Sequence, residues 1–141
     1  IRDKRKLSTF ENRDLKPFAR GIKSGCSMIM VSHNIVCCLD KKRPASISKK
    51  VHNYLRNDMG FDGVIITDSL SMSGVTKFFD DPGELAVKAV KAGNDMLCTE
   101  SGHKSKVAIV NAVKKGDISE KRIDRSVKRI LILKLKKGII Q

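Results

Sequence analysis

Three features of the sequence predict an α/β fold built from parallel β-α-β units. Short apolar runs at 27–33, 63–67 and 95–99 lack the 3.6-residue stripe of an amphipathic helix and suit buried strands. Helical stretches of ten or more residues separate them, which is the alternation that parallel sheets require. Glycines stand where those stretches end, the usual position of a helix stop.

The elements follow in order. Ser8-Thr-Phe-Glu11 matches a capping box, and Phe10, Leu15, Phe18 and Ile22 then form one helical face over about 9–24, with Pro17 predicting a kink or break. The run SMIMVSH (27–33) reads as a strand buried on both faces. After Pro44, the apolar positions Val51, Leu55 and Met59 predict a helix closed by Gly60. GVIIT (63–67) is the second strand, 84–92 a helix closed by Gly93, and DMLCT (95–99) the third strand. Helices over about 104–115 and 119–137 finish the chain, the second capped by Ser119 and stopped by Gly138. A barrel of eight β-α units needs about 250 residues, whereas this sequence has 141 and three strands. It therefore reads as part of a larger unit.

Composition narrows the function classes. No apolar run approaches the roughly 20 residues of a membrane-spanning helix, so no membrane partner is expected. The sequence opens on Ile1, which leaves the compartment, cytoplasmic or exported, unassigned. Lys and Arg outnumber acids 29 to 15, but the basic residues recur on separate predicted helices with one Tyr and five Phe for base stacking. A solvated exterior is expected rather than a nucleic-acid site, with polyanion binding as the competing reading. Cys26, Cys37, Cys38 and Cys98 form no C-x-x-C pair, so no metal or other cofactor is implied, and Cys26 and Cys98 border apolar runs where thiols are commonly buried.

Parallel α/β folds gather ligand sites at the carboxyl ends of strands, while the opposite ends carry stability. Asp62 and Asp95 precede their strands and belong to the stabilising end. His33, Asp68 and Glu100 follow theirs and can converge at one mouth. On the residues alone, Asp68 is either a strand-exit carboxylate that works on a ligand or a turn-capping group. His33 is either a mouth histidine satisfied within the fold or a substrate hydrogen-bonding group. Glu100 lies in a polar loop and is expected in solvent, and His52 and His103 are expected at the surface.

The stretch GFDGVIITDSLSM (60–72) resembles the nucleophile segment of glycoside hydrolase family 3, in its β-N-acetylhexosaminidase branch. DLKPFARGIKSGCSMIMVSHN and RPASISKKVHNYLRNDMGFDG are similar to the segments leading to it, and AVKAVKAGNDMLC and AVKKGDISEKRIDRSVKRILILKLKKGI to the closing helices, in the same order. The resemblance implies a partial (β/α)8 barrel: residues 1–141 would be the C-terminal portion of the catalytic barrel, its last three β-α units plus C-terminal helices, with the first five strands absent. It makes Asp68 the nucleophile of a retaining hydrolase acting on terminal β-linked N-acetylhexosamine. A carboxylate suits that role because an anion beneath the anomeric carbon stabilises a cation-like transition state and then bonds to it. His33 and Met72 match substrate-binding positions.

In this branch a glycine- and histidine-rich loop upstream supplies the acid/base, and this sequence does not contain it. The isolated chain is therefore expected to be inactive. Its implied partner is an amino-sugar oligosaccharide or wall-derived glycoside, cleaved by water or, as in some relatives, by phosphate. The competing reading is a truncated barrel that binds carbohydrate or assembles through its exposed edges.

Overall fold

The computed structural model describes residues 1–141. The α/β class holds, and the sheet is open. Strand β1 (Arg2–Asp3) pairs in parallel with β3 (Ile35–Val36), and β2 (Met28–Val31) pairs in parallel with β4 (Val64–Thr67), Met28 opposite Val64 and Val31 opposite Thr67. The helices are α1 (Leu7–Thr9), α2 (Lys16–Lys23), α3 (Lys49–Asn53), α4 (Ser73–Thr76), α5 (Pro82–Ala92), α6 (Gly102–Lys114) and α7 (Glu120–Lys136). Both α1 and α3 run on into a π-helical turn, Phe10–Asp14 and Tyr54–Asp58.

Several helix boundaries follow the local chemistry. Ser48 and Ser119 cap α3 and α7 by accepting the Val51 and Arg122 N–H groups, and Asp81 does the same for Glu84 at α5. Gly60 and Gly93 end their helices at φ +67° and +134°, which a side chain would strain. The predicted capping box does not form. Lys6 occupies the N-cap of α1 with no side-chain bond, and Glu11 instead accepts from the Tyr54 hydroxyl at 3.0 Å. Leu15 interrupts the expected 9–24 helix and Pro17 restarts it, since proline has no N–H to give in a first turn.

The strand at 27–33 is not buried on both faces. Ile29 and Val31 pack with Leu55, Phe61 and Ile65 beneath α3, while Met28 and Met30 on the opposite face remain 38% and 56% exposed. Side chains alternate along a strand, and the second face is uncovered at β2 although Val64, opposite Met28, is buried. The third run is not a strand of regular length. It makes one parallel bridge, Ile66 to Met96. Beyond it the ladder turns irregular: Thr67 N–H donates to the Met96 carbonyl at 3.2 Å, and the Thr67 hydroxyl accepts the Cys98 N–H at 3.0 Å. Cys26 and Cys98 are exposed thiols rather than buried ones.

Two further clusters hold the helices. Leu70, Val75, Leu85, Ala89 and Ile47 form one, and Val90, Ala112 and Ile118 the other. His52, expected at the surface, is 2% exposed under Gly93, where an added Cβ would lie 2.8 Å from the His52 Cβ. Its Nδ1 donates to the Ser48 carbonyl at 2.8 Å, and burial pushes its pKa below the ordinary imidazole value.

Asp95 does bear out the stabilising role, though not as a cap. Its side chain is wholly buried; Oδ2 accepts from Arg56 at 2.6 Å and from the Ile65 N–H at 3.0 Å, and Oδ1 from Ser126 at 2.6 Å and Arg129 at 3.4 Å, with Arg122 at 3.8 Å. Removing one member of such a network strands buried charge. Asp95→Asn should lower unfolding free energy by about 3–5 kcal/mol in a denaturant titration.

The outer edge of β2 has no ladder partner and carries Met28 and Met30, while α7 exposes Val127, Leu131 and Leu135 at four-residue spacing. Apolar surface beside an unpaired edge drives association. The 141-residue chain should sediment as dimers or larger species, and Met28→Lys/Met30→Lys should shift it toward monomer.

Candidate active site

Strand parity assigns each side chain at the exit of β2 and β4 its face. Asp68 lies two residues beyond Ile66, in register with the face that bears Met28 and Met30, so it stands at the open side of the sheet. His33 lies two residues beyond Val31 and shares the covered face, which is why it is only 6% exposed.

Asp68 is half-buried. Its own N–H donates to the Val31 carbonyl at 3.0 Å, which ties the exit of β4 to β2. One carboxylate oxygen, Oδ1, accepts the Ser69 N–H at 2.8 Å. No salt bridge engages the group, and no hydrogen bond occupies Oδ2. This leaves one oriented carboxylate oxygen available at the rim.

The loop behind it is clamped on three sides. Leu70 N–H donates to the Cys98 carbonyl at 2.9 Å, and the Leu70 side chain is buried in the second cluster. His33 Nε2 lies 2.7 Å from the Ser69 carbonyl and Nδ1 2.7 Å from the Ser46 hydroxyl. A carbonyl can only accept, so Nε2 carries a proton, and in the neutral ring Nδ1 accepts from the Ser46 hydroxyl. Gly74 of α4 approaches this ring closely; a Cβ there would meet the His33 Cβ at 3.1 Å. Both ring nitrogens are thus engaged within the fold. Of the two sequence readings, the geometry matches the histidine satisfied by protein groups, one that holds the Asp68 loop and does not itself reach into solvent.

Met72 is 48% exposed as the N-cap of α4, past the turn in which its N–H donates to the Ser69 carbonyl. Glu100 is exposed in the loop after Cys98, as expected, and His103 is exposed on α6. The sequence reading passed over Ser46, whose small hydroxyl orients His33 from 13 residues away; no local spacing marks it.

Comparison with known proteins now bears on this rim. The model for the glycosyl hydrolase family 3 N terminal domain matches residues 2–133. The chain belongs to glycosyl hydrolase family 3. An uncharacterized secreted glycosyl hydrolase of Arthroderma benhamiae is 38% identical over 133 residues, covering 90% of this chain and 37% of that protein. A beta-hexosaminidase of Nitrosomonas eutropha is 35% identical over 95 residues, covering 67% of this chain and 27% of the other. Among solved structures, a family 3 beta-N-acetylglucosaminidase from Paenibacillus sp. str. FPU-7 superposes with a TM-score of 0.90 at 36% identity, covering 99% of this chain and 27% of that one. The chain thus spans about a quarter to two-fifths of these family 3 relatives, as an open part of the barrel domain.

The His33 clamp has a measurable consequence. His33→Phe keeps the ring's volume but removes both hydrogen bonds and leaves the Ser46 hydroxyl buried without its acceptor. Stability should fall by about 1–3 kcal/mol, and amide hydrogen exchange at Leu70 and Met72 should accelerate more than in α7.

Proposed function

We propose that this chain is the nucleophile-bearing part of a retaining β-N-acetylhexosaminidase, corresponding to the last three β-α units and closing helices of the barrel, with Asp68 as nucleophile. The observation that carries the reading is the state of Asp68: a half-buried strand-exit carboxylate, oriented through one oxygen by the Ser69 N–H and unpartnered at the other. It is supported by the relatives named beta-hexosaminidase and beta-N-acetylglucosaminidase.

In this mechanism an Asp68 oxygen attacks the anomeric carbon of a terminal β-linked N-acetylhexosamine. The bond to the leaving oxygen breaks with inversion, and that oxygen takes a proton from an acid/base outside these residues. Water, deprotonated by the same group, then attacks the glycosyl ester; the Asp68–sugar bond breaks, and the second inversion restores the β configuration. A proton shuttle of this kind contributes about 10² to 10⁴ in rate. His33 is a poor substitute because both its nitrogens are engaged, and the exposed Glu100 has no group to orient it. The chain alone is therefore inactive or nearly so. Met72 remains a candidate sugar contact on the strength of its exposed position beside the rim, and His33 acts through the loop it holds.

The test supplies the acid/base. The chain is fused behind the N-terminal barrel segment of the Paenibacillus relative and assayed on an aryl N-acetyl-β-glucosaminide. Turnover should appear, and Asp68→Asn should lower kcat by on the order of 10³-fold or more. A fluorosugar inactivator should label the peptide containing Asp68. Turnover that survives Asp68→Asn undiminished would overturn the nucleophile assignment.

A further inference from the structure

The other end of β4 carries the opposite charge. Lys49, His52, Asn53 and Arg56 share one face of α3 and its π-helical continuation, spaced by three, one and three residues. Arg122, Arg125 and Arg129 do so on α7. With Lys91 of α5, the six Lys and Arg side chains of this set line a cleft of about 410 Å³ in which Asp62 is the one acid. The expectation of a dispersed basic exterior fails here: packing brings three helices' cations together that the linear sequence keeps apart.

Few acids balance this charge: Asp117 lies 3.8 Å from Lys91 at the surface, and Asp95 lies below. Asp95 takes up Arg56, Arg122 and Arg129 together, one anion for three cations. The guanidinium pKa values of Arg56 and Arg122 are pushed down by burial and by neighbouring arginines, against the pull of Asp95.

A second cavity of about 510 Å³ adjoins the first, shares Lys49 and Lys91 with it, and adds Lys42, Arg43 and Lys88. The two form one basic groove between α3 and α5. The first cleft has no Phe, Tyr or Trp on which a nucleobase could stack and a single apolar residue, Ala92, whereas the second cavity is lined by Phe78, Phe79 and Ile47 beside its cations.

We propose that this groove is a binding site for an oligophosphate-type polyanion, a linear run of oxyanions long enough to engage both cavities. A single phosphate would meet one cluster of cations. A chain of them meets both and relieves the crowding around Asp95. The first cleft lies at the entry end of β4, and the second cavity runs past Ile47 and Phe79, which pack with Leu70; the proposal does not depend on the glycosidase reading.

Tripolyphosphate is the probe, titrated calorimetrically into the full chain at constant ionic strength. One equivalent should bind, more tightly than orthophosphate. Lys49 and Lys91 are exposed, so Lys49→Ala/Lys91→Ala removes two charges without opening the core, which circular dichroism verifies; affinity should fall about tenfold or more. Lys134→Ala/Lys136→Ala removes the same charge from the far end of α7 and should leave affinity within about twofold. Absence of binding, equal loss in both variants, or orthophosphate binding as tightly would overturn the site. An oligothymidylate of equal charge that binds more tightly would overturn it in favour of single-stranded nucleic acid.

Discussion

A single buried carboxylate, Asp95, fixes the end of the sheet from which everything else is built. Desolvating an acid costs several kcal/mol unless its oxygens are filled, and here each is filled by strong donors. Oδ2 takes Arg56 and the Ile65 N–H, and Oδ1 takes Ser126 with Arg129 and Arg122 behind it. The same arginines also donate to backbone carbonyls: Arg56 to Phe61 and Gly63, Arg122 to Val90 and Asn94, Arg129 to Asp62. The turn into β4, the end of α5 and the face of α7 are therefore held to one point. With its entry pinned there and its exit pinned by the Val31 and Cys98 carbonyls, β4 is a fixed platform for Asp68.

Local chemistry was readable from the sequence wherever one residue decides the outcome. Gly60 and Gly93 stop helices because their backbone enters the left-handed side of φ space, and Asp68 sits at a strand exit because an apolar run ends there. Where the outcome depends on partners distant in sequence, the reading failed. The run 27–33 has the composition of a doubly covered strand, yet Met28 and Met30 have no layer above them within these residues. The run 95–99 looks like its neighbours, but Thr67 offers a hydroxyl to Cys98 where a ladder would use a carbonyl, and the pairing shrinks to one bridge.

The histidines illustrate the same division. His33 follows an apolar strand run and His52 two lysines and a valine, yet both are buried. His33 is two residues past Val31 on the covered face, which accounts for its burial. His52 is buried because Gly93 lets α5 close over it, a contact across 41 residues. The basic cleft is intermediate. Its spacing on α3 and α7 is a visible helical face, but that both faces meet at the same cleft is a property of the fold.

The first basic cleft and the Asp68 rim are electrostatically separate because of their distance. Six residues run from Asp62, at the edge of the basic cleft, to Asp68 at the rim, and an extended strand advances about 3.3 Å per residue, so the two lie on the order of 20 Å apart. The Debye length at physiological ionic strength is about 8 Å. Exposed cations of the first cleft are screened over that distance, and the partly buried ones are already engaged by Asp95 and by backbone carbonyls. An anion held between α3 and α5 would thus change the stability of the sheet's entry without altering the charge state at its exit. Coupling between the two ends would have to travel mechanically, through β4, whose two ends are tied, or through Ile47, which lines the second cavity and packs with Leu70.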